Sequence, residues 1–247
     1  MGRNWVHVAL AAVSRFVIDL HLGPQTLEMA AHLVAGVALA CRGGHLPLVL
    51  IDNHLPYPAA LLQVFGVVKH GRRRQGRGRK KKRRLKPPPG LVVGVVEKVR
   101  DAGGNLVKVR TRALFGRLKD IRRRVRELGI GQEVNTAYVE RLNGTLRGQQ
   151  ARLARRTRHG SRLADMLRWA LGLWRDLYNW TRGHAALDGH SPAMALGLAD
   201  RVWSVRRYVA YPVHVSDHQR EAWADARNSA LESALDVYER EHALPTS

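Results

Sequence analysis

Cysteine is nearly missing from this 247-residue sequence, and the one present, Cys41, excludes an internal disulfide and a cysteine-built zinc site. It sits among apolar residues of an expected helix and reads as core. Long apolar runs are missing too. None approaches the ~18 to 20 residues a membrane-spanning helix needs, and the longest, Leu27 to Cys41, is interrupted by Glu28 and His32. No membrane partner is therefore expected. The opening MGRNWVHVAL lacks the charged head, apolar stretch and small-residue cleavage site of a signal peptide, so the expectation is a cytoplasmic protein. His7, His21, His32, His45 and His54 show no HxxxH spacing on one helix, which argues against a histidine zinc site. Acidic residues are scarce: 20 Asp and Glu face 42 Lys and Arg, a net charge of +22. Such an excess favours polyanions, because each neutralised phosphate releases condensed counterions. Nucleic acid is the leading partner, and a nucleoid-associated location follows. The absence of an aromatic RNA-binding motif disfavours an RNA-associated role.

What is present is a pattern of short elements. Residues 5 to 11 and 16 to 22 alternate and predict two strands paired as a hairpin. Gly23-Pro24 stops the second, and Thr26 is placed to cap a helix from Leu27 to about Cys41. Leu46 to Ile51 is a continuous apolar run that reads as a strand buried on both faces, ending at Asp52, and a helix from Tyr57 to Phe65 follows. From Lys69 to Lys86, 12 of 18 residues are Lys or Arg and none is acidic, which predicts a disordered loop that binds nucleic acid without regard to sequence. Leu91 to Arg100 and Leu106 to Arg112 form a Val-rich hairpin around Asp-Ala-Gly-Gly-Asn. Helices are expected over Leu118 to Leu128, from near Asn135 with an amide-bearing cap, over Leu163 to Trp180, over Pro192 to Leu198 and from Asp217 to about Glu241. Trp169, Trp174, Trp180 and Trp203 read first as core aromatics.

The order strand, strand, helix, apolar strand ending in Asp, helix, long insertion, helix carrying Glu suggests polynucleotidyl transfer. In that chemistry hard carboxylates converge on divalent cations that clamp the attacking and leaving oxygens of a phosphodiester. Asp52 at a strand's end and Glu140 in the first turns of a helix are placed for this. Asn143 and Arg147 lie three and seven residues beyond Glu140, on its helix face, where they either meet substrate phosphate or are merely exposed.

Three segments carry a family resemblance. VNTAYVERLNGTLRGQQARLARRTRH resembles the Glu-bearing helix of insertion-sequence DDE-type transposases. LPLVLIDNHLPYPAALLQVFG resembles the strand holding their second Asp, with Asn53 in place of a more usual Gly. YNWTRGHAALDGHSPAMALGLADRVWSV is similar to their C-terminal signature, in which His184 and His190 fall. The resemblance implies a DNA transposase of the ribonuclease-H-like integrase/transposase superfamily, performing metal-dependent strand cleavage and strand transfer. It implies Asp52 and Glu140 as catalytic metal ligands, two Mg2+ or Mn2+ ions in a complete site, and DNA, both element ends and target, as substrate. The expected DNA-binding residues are Asn143, Arg147, Arg155 and Arg156, with Arg72, Arg73, Arg74, Lys80, Lys81, Lys82, Arg83 and Arg84 of the basic run. A homo-oligomer or full-length transposase is the expected protein partner.

The sequence also departs from the family. The first catalytic Asp would lie on a central strand preceding the hairpin, and the sequence opens at that hairpin, so the expectation is a truncated and inactive transposase, or a misplaced start with that strand and its Asp encoded upstream of Met1. The expected fold is thus α/β, a ribonuclease-H-like mixed sheet lacking its first central strand, with a β-hairpin insertion and a helical C-terminal region. Residues 1–67 and 129–160 form the incomplete core, 68–90 a basic disordered loop, 91–128 a hairpin-helix insertion and 161–247 the helical C-terminal region. The strand's absence leaves two apolar edges, which predicts marginal stability, direct rejoining of the edges, or pairing by another chain. Asp19 reads as an ordinary exposed strand residue rather than a substitute ligand. The alternative function is a non-enzymatic basic DNA-binding protein that titrates full-length transposase.

Overall fold

The computed structural model describes residues 4–41, 46–69, 84–131, 134, 136–153, 161 and 163–211. Its architecture is mixed α/β. The first two strands, β1 (Trp5–Leu10) and β2 (Val17–Gly23), pair antiparallel as the alternation predicts. Helix α1 (Leu27–Ala40) follows, and the Thr26 side chain accepts from the Met29 N–H, satisfying one of the free donors of its first turn.

Strand β3 (Leu48–Asp52) and helix α2 (Pro56–Phe65) come next, then β4 (Val67–Lys69) and β5 (Arg84–Lys86), which pair with each other. Both ends of the basic run are therefore strand, not loop, because Val67, Val68 and Leu85 supply a short β-forming ribbon. Residues 70–83 lie outside the described residues, and with them Arg72, Arg73, Arg74, Lys80, Lys81, Lys82 and Arg83.

The largest correction concerns β6 (Val92–Arg100) and β7 (Leu106–Phe115). They form the expected hairpin, and Gly104 takes the positive φ its turn requires, 84°. The hairpin is no insertion, however. Strand β6 lies parallel to β3, with Leu48 beside Val92 and Asp52 beside Val96, so the sheet order is β3-β6-β7. The physical reason lies in its composition: Val92, Val93, Val95 and Val96 are all buried, as a strand covered on both faces must be. Conversely, β3 is less enclosed than its sequence suggests, since only Ile51 is fully buried. A bulge at Leu114 shifts the β6–β7 register, and Leu114 and Phe115 both pack with the cluster around Val93.

This sheet has helices on both faces. On one, Val93, Val95 and Ile51 meet Ala30 and Val34 of α1 and Ala60 and Leu61 of α2. On the other, Val92 and Val96 meet Ile121 and Val125 of α3 (Leu118–Glu127), with Leu48 and Leu50 alongside. Gly94 is needed between them: a Cβ there would stand 3.0 Å from Leu50 Cδ2 and 3.3 Å from Ile121 Cγ2.

The β1–β2 pair builds its own core against α4 (Ala137–Gln149) and α5 (Ala164–Thr181), through Val17 and Leu22, Leu142 and Leu146, and Leu171, Trp174 and Tyr178. Helix α4 starts at Ala137 after Thr136; the expected cap Asn135 lies outside the described residues. Buried Asn179 of α5 clasps the hairpin: its Oδ1 accepts the Val17 N–H at 2.9 Å and its Nδ2 donates to the Val17 carbonyl at 3.0 Å. Short helices α6 (Pro192–Ala195) and α7 (Val205–Val209) complete the described C-terminal region, and the expected helix from Asp217 lies outside it.

Direct rejoining of β1 to β3 does not occur among the described residues, where the β1–β2 pair and the β3-β6-β7 sheet remain separate. Two other expectations are corrected. Trp169 is 51% exposed on α5, whereas Trp174 is core and Trp180 meets the Trp203 ring at a tilt. Asp19 is only 18% exposed at its side chain, because His21 and Arg175 draw it in against α1.

Candidate functional site

The alternation of β3 decides where Asp52 looks. Val49 and Ile51 face the helices α1 and α2, so Leu48, Leu50 and Asp52 face α3 and the start of α4. Parallel register places Val96 beside Asp52 on that same face, and Lys98, two residues further along β6, shares it. Strand rise and spacing put the Cα atoms of Asp52 and Lys98 about 8 Å apart.

The Lys98 ammonium forms a close ion pair with Glu140 Oε1. Thr136, one turn earlier, donates its hydroxyl to the same carboxylate at 2.5 Å. Glu140 is thereby tied to β6 on the side of the sheet that Asp52 faces. The two carboxylates predicted from sequence, 88 residues apart in the chain, lie on one face of one sheet. Asp52 itself is exposed, and its charge, after burial, helps push the Tyr57 hydroxyl up to about 12.

Beyond Glu140, helix α4 carries half-buried Asn143 and exposed Arg147 at steps of three and four residues, on the same side of the helix. Arg84 is exposed on β5, paired in register with Lys69. Arg155 and Arg156 lie outside the described residues. On the opposite face of the sheet, Arg112 donates to Asn53 Oδ1 at 3.2 Å and lies 3.4 Å from Glu97, so Asn53 is held away from Asp52. Asp19 makes a separate network. Burial would raise its pKa, but the hydrogen bond from His21, the Leu20 N–H and the charges of His21 and Arg175 outweigh that and hold the carboxyl below its usual range.

Sequence reasoning missed Lys98 and Thr136. Thr136 had a signal, since a hydroxyl four residues before a helical Glu is within its reach. Lys98 had none without the pairing of β3 with β6.

Among the described residues no group of three or more His, Cys, Asp or Glu comes together to hold a metal ion. Asp52 and Glu140 offer two carboxylates on that face, and Lys98 is the cation paired with Glu140. Comparison of the chain with protein-family models, with curated proteins and with solved structures finds no match.

Proposed function

We propose that this chain is a DDE-type DNA transposase, built on a ribonuclease-H-like core and acting in metal-dependent strand cleavage and strand transfer at insertion-sequence ends. The observation that carries this reading is the shared sheet face of Asp52 and Glu140. It is supported by the three segments that resemble the family and by the net charge of +22.

Asp52 and Glu140 would supply the carboxylates for one divalent cation. Mg2+ is commonly held by one or two carboxylates with water completing its shell, and the Lys98 ammonium shows that Glu140 accepts a cation. They do not by themselves suit two ions, because no third ligand joins them among the described residues. When bound, magnesium or manganese polarises phosphodiester oxygen and acidifies water. The chain's own residues do the remainder: Asn143 and Arg147 present a donor and a charge to backbone phosphates along α4, and Arg84 extends the basic surface.

A second reading has its own support. The Glu140 carboxylate is already engaged by Lys98 and Thr136, which suits a DNA-binding protein without chemistry that titrates full-length transposase. The test is nicking of supercoiled DNA carrying the sequences that flank the gene, with Mg2+ or with chelator. The enzyme reading expects Mg2+-dependent nicking that falls by at least the ~100-fold seen for weaker metal-site lesions in Asp52→Asn and in Glu140→Gln. DNA binding with steep salt dependence and no nicking would overturn it in favour of the second reading.

A further inference from the structure

The loop between β1 and β2 holds an arginine in an unusual state. Arg15 has φ of 60°, the left-handed region that side-chain-bearing residues rarely adopt. The surroundings enforce it: Asn179 grips Val17 by both backbone groups, and Arg15 Nη1 donates to the Ala12 carbonyl at 2.6 Å. The guanidinium is laid flat against α4, its Cζ 3.8 Å from the ring centroid of Tyr138.

Two further cationic or donor groups approach from the end of α5. Arg182 lies 6.0 Å from the Tyr178 ring centroid, and the His184 ring meets Tyr178 edge-on at 4.8 Å. Arg182 Nη1 and His184 Nε2 are sealed from solvent and have no hydrogen-bond partner among the described residues. A buried donor left without an acceptor is costly, and more so when charged. The charges acting on Tyr178 and His184 are those of Arg15 and Arg182, with no described carboxylate among them. Two arginines and a histidine thus gather here, and Arg182 Nη1 and His184 Nε2 have no acceptor among the described residues. A guanidinium fork pairs with carboxylate or phosphate alike, and a phosphate, having more oxygens, can accept from several such donors at once.

We propose that Arg15, Arg182 and His184 form an oxyanion site that takes a phosphate group, either a phosphodiester of bound nucleic acid or free inorganic phosphate. The site is independent of Asp52, Glu140 and any metal ion, and it lies against Tyr138, in the same helical turn as Glu140.

The experiment uses the full chain in chelator at constant ionic strength. The His184 ring resonance, assigned through its contact with Tyr178, is followed by NMR as inorganic phosphate or a thymidine oligonucleotide replaces chloride. Binding of a labelled oligonucleotide is compared for wild type, Arg182→Gln and His184→Gln, with exposed His190→Gln as control. A saturable shift with inorganic phosphate alone, with oligonucleotide affinity unchanged in the variants, assigns the site to the free anion. A shift with oligonucleotide, and affinity about tenfold weaker in both variants but not in His190→Gln, assigns it to the phosphodiester. A His184 resonance unmoved by either ligand overturns the proposal, even if the variants do not fold.

Discussion

At the scale of single residues, Lys98 is the group that changes how the candidate site is understood. Its ammonium competes with any divalent ion for Glu140, so removing its charge while keeping its bulk removes that competition. Lys98→Met should bind Mn2+ up to about fivefold more tightly than wild type, the equivalent of the ~1 kcal/mol that a half-exposed ion pair is worth. Electron paramagnetic resonance of free Mn2+ measures this, and unchanged or weaker binding would remove Lys98 from the site. The places of Asp52 at a strand's end and of Glu140 on a helix were legible in the sequence, one from an apolar run and the other from a helical stripe. Lys98 was not, because its relevance depends on a neighbour 46 residues away that only strand pairing supplies. Asp19 was misjudged for a related reason: alternation along β2 says which side a residue faces, not that α1 covers that side with Gly36.

At the scale of elements, that glycine is what lets α1 lie against β2. A Cβ on Gly36 would stand 2.1 Å from Asp19 Oδ2, and Asp19 is fixed by His21 and Arg175. Gly36→Ala should therefore destabilise the fold by about 1–3 kcal/mol through crowding, despite the better helix propensity of alanine. Chemical denaturation checks this, and the double variant Gly36→Ala, Asp19→Ala should recover part of the loss. The elements themselves were largely readable. The hairpin β1–β2, the Thr26 cap of α1, α2 and the β6–β7 hairpin follow from local alternation, capping and turn chemistry. Their pairing was not readable. The basic run between β3 and β6 looks like a break in the fold, yet α2 and the β4–β5 ribbon bridge it and let β6 return parallel to β3. Four buried valines in β6 were the available clue to a central position.

At the scale of the whole molecule, stability should depend on pH in two windows. Burial pushes the imidazole of His7 below its ordinary value, and burial with the charges of Arg182 and Arg15 does the same to His184. The unfolded chain then binds more protons than the folded one below about pH 6.5, so stability is complete above that value and falls as the medium is acidified through it. Asp19 works in the lower window. Its folded pKa is depressed, so its contribution is present above the unfolded value near 4 and is lost as pH falls through the folded one. Thermal unfolding in phosphate-free buffer should show midpoints falling from pH 7 to 5, and the slope should flatten in His7→Gln, His184→Gln. An unchanged slope in that variant would assign the dependence to other groups.

The clasp of Asn179 on Val17 spans 162 residues. During synthesis the β1–β2 hairpin leaves the ribosome 162 residues ahead of the amide that closes its backbone. These two strands must wait, half-finished and apolar, for α5, and this sets an order of assembly in which the β1–β2 pair is completed by a helix made long after it.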